Sequence, residues 1–224
     1  FFVPGLVLIQ ICLLFRGQKK RRKKTASAVA VLMVFILSCT GCARIEPEKR
    51  MYPLAMGVDV SEGEYILTYA MPDLPRATGQ GKEEEDGNQT LQVRGKSFEE
   101  IKSRYERSQE KYLDIGHLQI LILSQDLTET DMWKDFFEYL REEPLAGENI
   151  YVFQTQEPEK LLGWKEGGTS VGEYITGLME NRMDREQKNG VTLRQVYYQW
   201  YQNGTLRKLP KITLSEDQIQ VWLE

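Results

Sequence analysis

Cysteine and histidine are scarce in this sequence. Its 224 residues include three cysteines, at positions 12, 39 and 42, and a single histidine, His117. No cysteine follows Cys42, so residues 43–224 cannot form a disulfide among themselves. A structural zinc site usually takes four Cys or His ligands. One histidine without a cysteine cluster argues against such a site.

The start of the chain lacks an apolar run long enough to span a membrane. Residues 26–38 are thirteen mostly apolar residues, whereas a spanning helix needs roughly 20. Six consecutive cations, residues 19–24, precede this run, and small residues follow it. This is the order of a secretory signal. We therefore predict that residues 1–41 are an export signal that is removed from the mature protein.

The end of the apolar segment resembles the lipobox of bacterial lipoproteins, in which a cysteine is diacylated and becomes the new N-terminus. Cys42 follows the small pair Thr40-Gly41, which such signals favour, and we predict Cys42 as the lipidation site. Cys39, which follows residues 36–38, is the alternative. Residues 42–53 would then form a lipidated, charged tether.

No methionine precedes Met33, and the chain begins with Phe1. The first 15 residues are a second apolar run, interrupted by Pro4 and Gly5, and about 15 residues is short for a membrane span. We expect them to be surplus ahead of a signal whose basic part begins at Arg16, and a short first membrane helix is the alternative.

The predicted mature part is acidic. Residues 1–41 hold seven of the 29 cations and none of the 33 anions, so the remainder carries 22 cations against 33 anions, a formal net charge of −11. Binding to nucleic acid depends on neutralising phosphates with Lys and Arg. Attachment to anionic lipid likewise needs a basic patch. The negative charge therefore argues against binding to nucleic acid. It also means that attachment to the membrane would depend on the predicted lipid anchor.

Strand patterns dominate the first half of this region. Residues 54–60 and 65–71 alternate around a turn at 61–64, which predicts a hairpin. The acidic, glycine-rich residues 72–90 predict a mobile surface loop. Residues 91–95 read as a third strand, and Ser97 with Glu100 forms a capping box that opens a helix. We expect one stripe of that helix to carry Phe98, Ile101, Tyr105 and Tyr112.

Residues 118–123 form an apolar run too short for a helix, which predicts the central strand of a sheet. Thr128 is predicted to cap a helix that ends before Pro144, and residues 150–153 to form a further strand. The inward face of that helix would be Met132, Trp133, Phe136, Phe137 and Leu140.

The remaining residues predict three helices and two strands. A short helix is expected at 157–163, and capping boxes at Ser170 with Glu173 and at Thr192 with Gln195 open two more. The last helix would bury Leu193, Val196, Tyr197, Trp200 and Tyr201 and end at Gly204; residues 209–214 and 218–223 are extended.

This order predicts an α+β (mixed α/β) fold, with a mixed, mostly antiparallel sheet and helices packed on it. We expect residues 54–205 to form one domain and residues 206–224 to begin a second, truncated domain.

No catalytic motif is evident. The carboxylates are scattered over helix faces, and neither Gly-x-Ser-x-Gly nor His-Glu-x-x-His occurs. His117 lies between Gly116 and the predicted central strand, where we interpret it as a hydrogen-bonded structural residue. We predict that the protein is not an enzyme and that it uses no cofactor and no metal.

Five short motifs occur in a characteristic order: Cys42 with its charged tether, residues 57–59 (Gly-Val-Asp), 95–98 (Gly-Lys-Ser-Phe), 116–118 (Gly-His-Leu) and 140–144 (Leu-Arg-Glu-Glu-Pro). In this order the chain resembles the Ger(x)C family, the lipoprotein C subunits of spore nutrient germinant receptors. The sequence departs from the family at Ala43, where tryptophan is common, and it corresponds to the N-terminal part of longer proteins.

The resemblance implies a non-enzymatic, lipid-anchored receptor subunit that takes part in spore germination. It implies membrane A and B subunits as partners and a position on the extracytoplasmic face of the inner spore membrane. An extracytoplasmic ligand-binding lipoprotein of a transporter is the alternative, and a lipoprotein enzyme is a third possibility. A two-lobed binder would need a second similar α/β half, which the sequence after Val191 does not begin.

Overall fold

The computed structural model describes residues 46–72, 90–166, 169–181 and 190–222. A mixed sheet of seven strands forms its centre, in the spatial order β11-β10-β7-β6-β2-β3-β4. Its strands are β2 (Ala55–Ser61), β3 (Glu64–Ala70), β4 (Thr90–Gly95), β6 (Ile120–Ser124), β7 (Tyr151–Thr155), β10 (Lys211–Ser215) and β11 (Gln218–Trp222). Two short two-stranded pairings lie outside this sheet: β1 (Arg50–Met51) with β5 (Tyr112–Leu113), and β8 (Lys165–Glu166) with β9 (Thr169–Ser170).

The sheet is mostly antiparallel, and with its helices it confirms the predicted α+β class. The antiparallel pairs β2–β3, β3–β4 and β10–β11 match seven, six and five residues. The parallel pairs β6–β7, β2–β6 and β7–β10 match five, four and one. The fourth strand of the seven is β6, and all five of its residues are buried. The predicted central strand is therefore confirmed.

Helices cover both faces of the sheet. The described helices are α1 (Phe98–Ser108), α2 (Gln125–Glu129), α3 (Met132–Glu142), α4 (Pro158–Leu162), α5 (Val171–Glu180) and α6 (Leu193–Asn203). Along β6, Leu121 and Leu123 belong to the core shared with α1, α3 and α6, whereas Ile120 and Ile122 belong to the core shared with α4 and α5. Alternate side chains of one strand thus fill two cores.

Local signals explain where several elements begin and end. Glu62 and Gly63 join β2 to β3 with φ values of 53° and 78°, and two central residues with positive φ are typical of a type I′ hairpin turn. The capping box of Ser170 with Glu173 is present, and α6 ends at Gly204 in the left-handed conformation. These predictions are confirmed.

Three details of the predicted helices are wrong. Tyr112 is not on the α1 stripe, because α1 ends at Ser108 and Tyr112 lies in a two-residue strand with 44% of its surface exposed. Thr128 lies inside α2, which Ser124 caps by accepting the Leu127 N–H at 3.0 Å. Tyr201 is 58% exposed rather than buried.

The predicted boundary at residue 206 stays a prediction. The hairpin of β10 and β11 joins the edge of the same sheet, through one residue pair between Lys211 and Gln154 and a hydrogen bond of 2.9 Å from Gln154 N–H to the Pro210 carbonyl. The predicted loop at 72–90 falls almost wholly outside the described residues.

Helix α5 approaches the sheet closely at Gly172. A Cβ built at this position would lie 2.7 Å from Leu54 Cβ and 3.1 Å from the Leu54 carbonyl carbon. We predict that Gly172→Ala lowers the free energy of unfolding by up to about 2 kcal/mol, because overpacking costs about 1–3 kcal/mol and the gain in helix propensity is about 1 kcal/mol. Urea unfolding of the variant measures the difference.

Gly177→Ala, in the same helix, is the matched control. The nearest atom to its added Cβ would be Asn181 Nδ2, at 4.0 Å. We expect this variant to gain about 1 kcal/mol from helix propensity alone. Equal stability changes at the two positions would contradict the close approach at Gly172.

Candidate functional site

The described chain enters the folded unit through a short parallel pairing. A single 3₁₀ turn (Pro47–Lys49) leads into β1 (Arg50–Met51), which pairs with β5 (Tyr112–Leu113). The Asp114 N–H donates to the Met51 carbonyl at 2.9 Å. The last residues of the predicted tether are therefore bound to the domain through a strand 62 positions further along the chain.

An ion pair holds this entry in place. Arg50 Nη1 lies 2.5 Å from Asp114 Oδ2, with side-chain exposures of 23% and 7%. The hydrogen bond with Asp114 raises the pKa of Arg50. Asp114 Oδ1 also accepts the Gly116 N–H at 3.0 Å and so caps the 3₁₀ turn Ile115–His117. One carboxylate thus serves both the tether and the turn that leads into β6.

Substitutions at Asp114 should separate these two roles. We predict that Asp114→Asn keeps a capping oxygen and loses the charge pair, whereas Asp114→Ala also loses the cap, a further loss of about 1 kcal/mol. Urea unfolding measures both variants. If Asn and Ala destabilise the protein equally, the cap contributes nothing.

A cleft lies beside the chain entry, between α1, β5 and the end of α3. We call it the tyrosine cleft; its volume is about 180 Å³, and four tyrosines and Glu143 lie in its wall. The full set of lining residues is Tyr69, Ile101, Lys102, Tyr105, Glu106, Gln109, Glu110, Lys111, Tyr112, Leu113, Ile115, Tyr139, Glu143 and Leu145.

Contacts of its tyrosines connect the cleft to the tether. The Tyr105 hydroxyl donates to the Lys111 carbonyl at 2.9 Å and lies 3.7 Å from Met51 Sδ. The Arg50 guanidinium lies over the Tyr112 ring, 5.8 Å from its centroid. The Tyr139 ring stacks on Phe98 with centroids 4.4 Å apart. Movement of the tether would therefore disturb the wall of the cleft.

The cleft makes its tyrosine hydroxyls harder to ionise. Burial raises the pKa of Tyr69 well above its ordinary value, and neighbouring Tyr139, Tyr105 and Glu143 raise it further. The pKa of Tyr139 is also raised, by burial and then by the nearby carboxylate of Glu143. Burial likewise raises the pKa of Tyr105. At neutral pH these hydroxyls are uncharged hydrogen-bonding groups.

His117 lies next to this region but takes no part in the cleft. It is exposed, and its ring meets the Tyr52 ring edge-on with centroids 4.9 Å apart. No hydrogen bond of its side chain is found within the described part of the chain. The interpretation as a hydrogen-bonded residue is therefore replaced by an aromatic contact at the surface.

A second, polar cleft of about 320 Å³ lies at the carboxyl ends of β6 and β7. Because β7 and β10 match at a single residue pair, the two strands separate beyond it and leave a gap. Gln125, Thr155, Lys160 and Thr213 are among its lining residues. Lys160 is paired with Glu157 at 3.3 Å, and Lys211 is the other charged residue of the lining.

The predicted lipidation site lies elsewhere in the chain. Cys42 and the alternative Cys39 fall outside the described residues, so the anchor stays a prediction. Within the described ranges, no helix has the length and apolar character needed to cross a bilayer, and no group of three acidic, His or Cys side chains could hold a metal ion.

Sequence reasoning placed Tyr105 on a helix stripe and Tyr69 in a strand, but it did not bring them together. The cleft combines residues from positions 69 to 145, and the sequence contains no local pattern for such a set.

The comparison with protein families gives one match. Residues 43–214 match the model described as the spore germination protein N-terminal domain, which is 172 of the 224 residues. Neither the curated proteins nor the solved structures gave a significant match.

The matched region contains all the helices of the described structure, every described strand before β10, and β10 except for Ser215. It begins at the residue after Cys42. The match confirms the resemblance seen in the sequence. The chain contains the N-terminal domain of the Ger(x)C spore germination proteins; it belongs to that family and has a role in germination.

Proposed function

We propose that this protein is a lipid-anchored, non-enzymatic subunit of a nutrient germinant receptor. The observation that carries the proposal is the family match, which begins at residue 43, directly after Cys42. A lipid on Cys42 would leave residues 43–49 as a short tether before β1. The folded domain would then lie close to the membrane surface on the extracytoplasmic face.

The geometry of the chain entry supports an assembly role. The Arg50–Asp114 pair and the β1–β5 pairing hold the end of the predicted tether against the domain. A lipid on Cys42 would therefore be joined to the domain by only a few residues, which would keep the domain near its membrane neighbours. Membrane A and B subunits are the partners that the family implies.

The test is isolation of the complex from spores. The full chain, tagged at its C-terminus, is extracted with mild detergent from the inner spore membrane, and the co-isolated proteins are identified by mass spectrometry. We expect two membrane proteins in stable ratio to the chain. If transporter permeases are co-isolated instead, the alternative of a ligand-binding lipoprotein is supported. If the chain is isolated without any partner, both proposals are contradicted.

Loss of the protein provides the functional measurement. We expect spores that lack this chain to lose or slow their response to particular nutrients, while germination triggered downstream of the receptor is unchanged. Spores that respond normally to every nutrient would contradict a receptor role, provided that no second copy of the subunit is expressed.

A further inference from the structure

The tyrosine cleft has the size, charge and hydrogen-bonding groups of a ligand site. We propose that it binds a small organic ammonium ion, that is, a protonated amine on a compact apolar body. The inference does not depend on the proposed receptor role.

Size limits the ligand to a small molecule. The cleft has a volume of about 180 Å³, below the about 300–1,000 Å³ that is usual for drug-sized ligands. Ile101, Leu113, Ile115 and Leu145 provide apolar wall. An amine with a short aliphatic or single-ring body matches this combination, whereas an acyl chain or a nucleotide is too large.

Charge favours a cation. The charged lining residues are three carboxylates, Glu106, Glu110 and Glu143, against two ammonium groups, Lys102 and Lys111. Among them, Glu143 is half-buried, and its carboxylate is close enough to Tyr139 to raise the pKa of that phenol. Hydrogen bonds between an ammonium and a carboxylate are about twice as strong as those between neutral groups. Glu143 is therefore the expected partner of the ligand's nitrogen.

Tyr69 gives a second, independent observation. Its side chain is 3% exposed and lines the cleft, yet no hydrogen bond of its hydroxyl is found within the described part of the chain. Every fully enclosed side-chain N or O atom in that part has a partner. The Tyr69 hydroxyl therefore opens onto the cleft. A neutral phenol oxygen there can accept a hydrogen bond from an ammonium.

The protein itself places a cation against this wall. The Arg50 guanidinium lies 5.8 Å from the centroid of the Tyr112 ring, within the distance at which aromatic faces attract cations. This arrangement occupies one tyrosine at the edge of the cleft, and Tyr69, Tyr105 and Tyr139 line the rest.

The experiment measures binding of cyclohexylammonium and of its uncharged analogue cyclohexanol to the full chain in detergent. Dissociation constants are obtained by ligand-observed NMR titration, with detergent alone as the blank. We expect saturable binding of cyclohexylammonium and at least tenfold weaker binding of cyclohexanol, because only the charged group pairs with Glu143. Equal affinities would reduce the site to a nonspecific apolar cleft and overturn the proposal, as would the absence of saturable binding.

Two variants locate the site. Glu143→Gln should weaken binding of cyclohexylammonium about tenfold while leaving cyclohexanol unchanged. Glu138→Gln, the same substitution in α3 at an exposed position outside the cleft, is the control and should change neither constant. If Glu143→Gln does not fold, Tyr69→Phe tests the site instead, because it removes one hydroxyl and should weaken binding of cyclohexylammonium about threefold. Unchanged affinity in the folded variants would overturn the assignment.

Discussion

Replacing Cys42 with alanine should abolish acylation and release the protein from the membrane. In our proposal the Cys42 thiol would be the acceptor of the lipid, and the net negative charge of the predicted mature chain argues against attachment to anionic lipid as a substitute. One acyl chain gives only marginal membrane binding, and stable anchoring needs a second signal. Loss of the diacylated cysteine should therefore move the protein from the membrane pellet to the soluble fraction, or leave it unprocessed.

Intact-protein mass spectrometry and membrane fractionation measure this outcome. Cys39→Ala is the matched control, because it changes the neighbouring cysteine and should leave both the lipid and the fractionation unchanged. An acyl group found on Cys39 would move the anchor to that residue. Unmodified thiols at both positions would contradict the lipoprotein assignment.

The largest loss of stability is expected at Phe136. This residue on α3 has no exposed surface, and its ring lies 5.3 Å from that of Phe137 and 5.9 Å from that of Phe98. We predict that Phe136→Ala lowers the free energy of unfolding by about 3–5 kcal/mol, since it removes the buried ring and leaves a cavity. That loss is a large part of the about 5–15 kcal/mol of a typical domain.

Urea unfolding followed by circular dichroism gives the change in free energy. Tyr198→Ala is the comparison: it also removes an aromatic side chain from a helix, but Tyr198 is 68% exposed, and we expect a change within about 0.5 kcal/mol. Similar losses at the two positions would show that α3 is not part of the central core.

Patterns close together in the sequence predicted structure well. The turn at Glu62-Gly63, the capping box at Ser170 and the end of α6 at Gly204 each depend on residues within one turn of one another. The continuous apolar run before Ser124 predicted the most buried strand correctly, because a strand covered on both faces needs apolar residues at successive positions.

Contacts between distant residues could not be predicted in this way. The tether was expected to be a charged linker, yet Arg50 is paired with Asp114, 64 residues away, and β1 forms only through that neighbour. The α1 stripe was extended to Tyr112 because helical spacing alone does not show that the helix ends at Ser108. The tyrosine cleft arises from tertiary packing, which the sequence does not show.

The parallel pairing at the centre of the sheet has a consequence for how the chain folds. Ala55 in β2 pairs with Ile120 in β6, so 65 residues must be synthesised and looped before this contact can form. Contacts between residues far apart in sequence slow folding, whereas the β2–β3 hairpin is local and can form early. The central contact is therefore expected to form after the hairpin, so that β2 and β3 are already paired while β6 still lacks its partner.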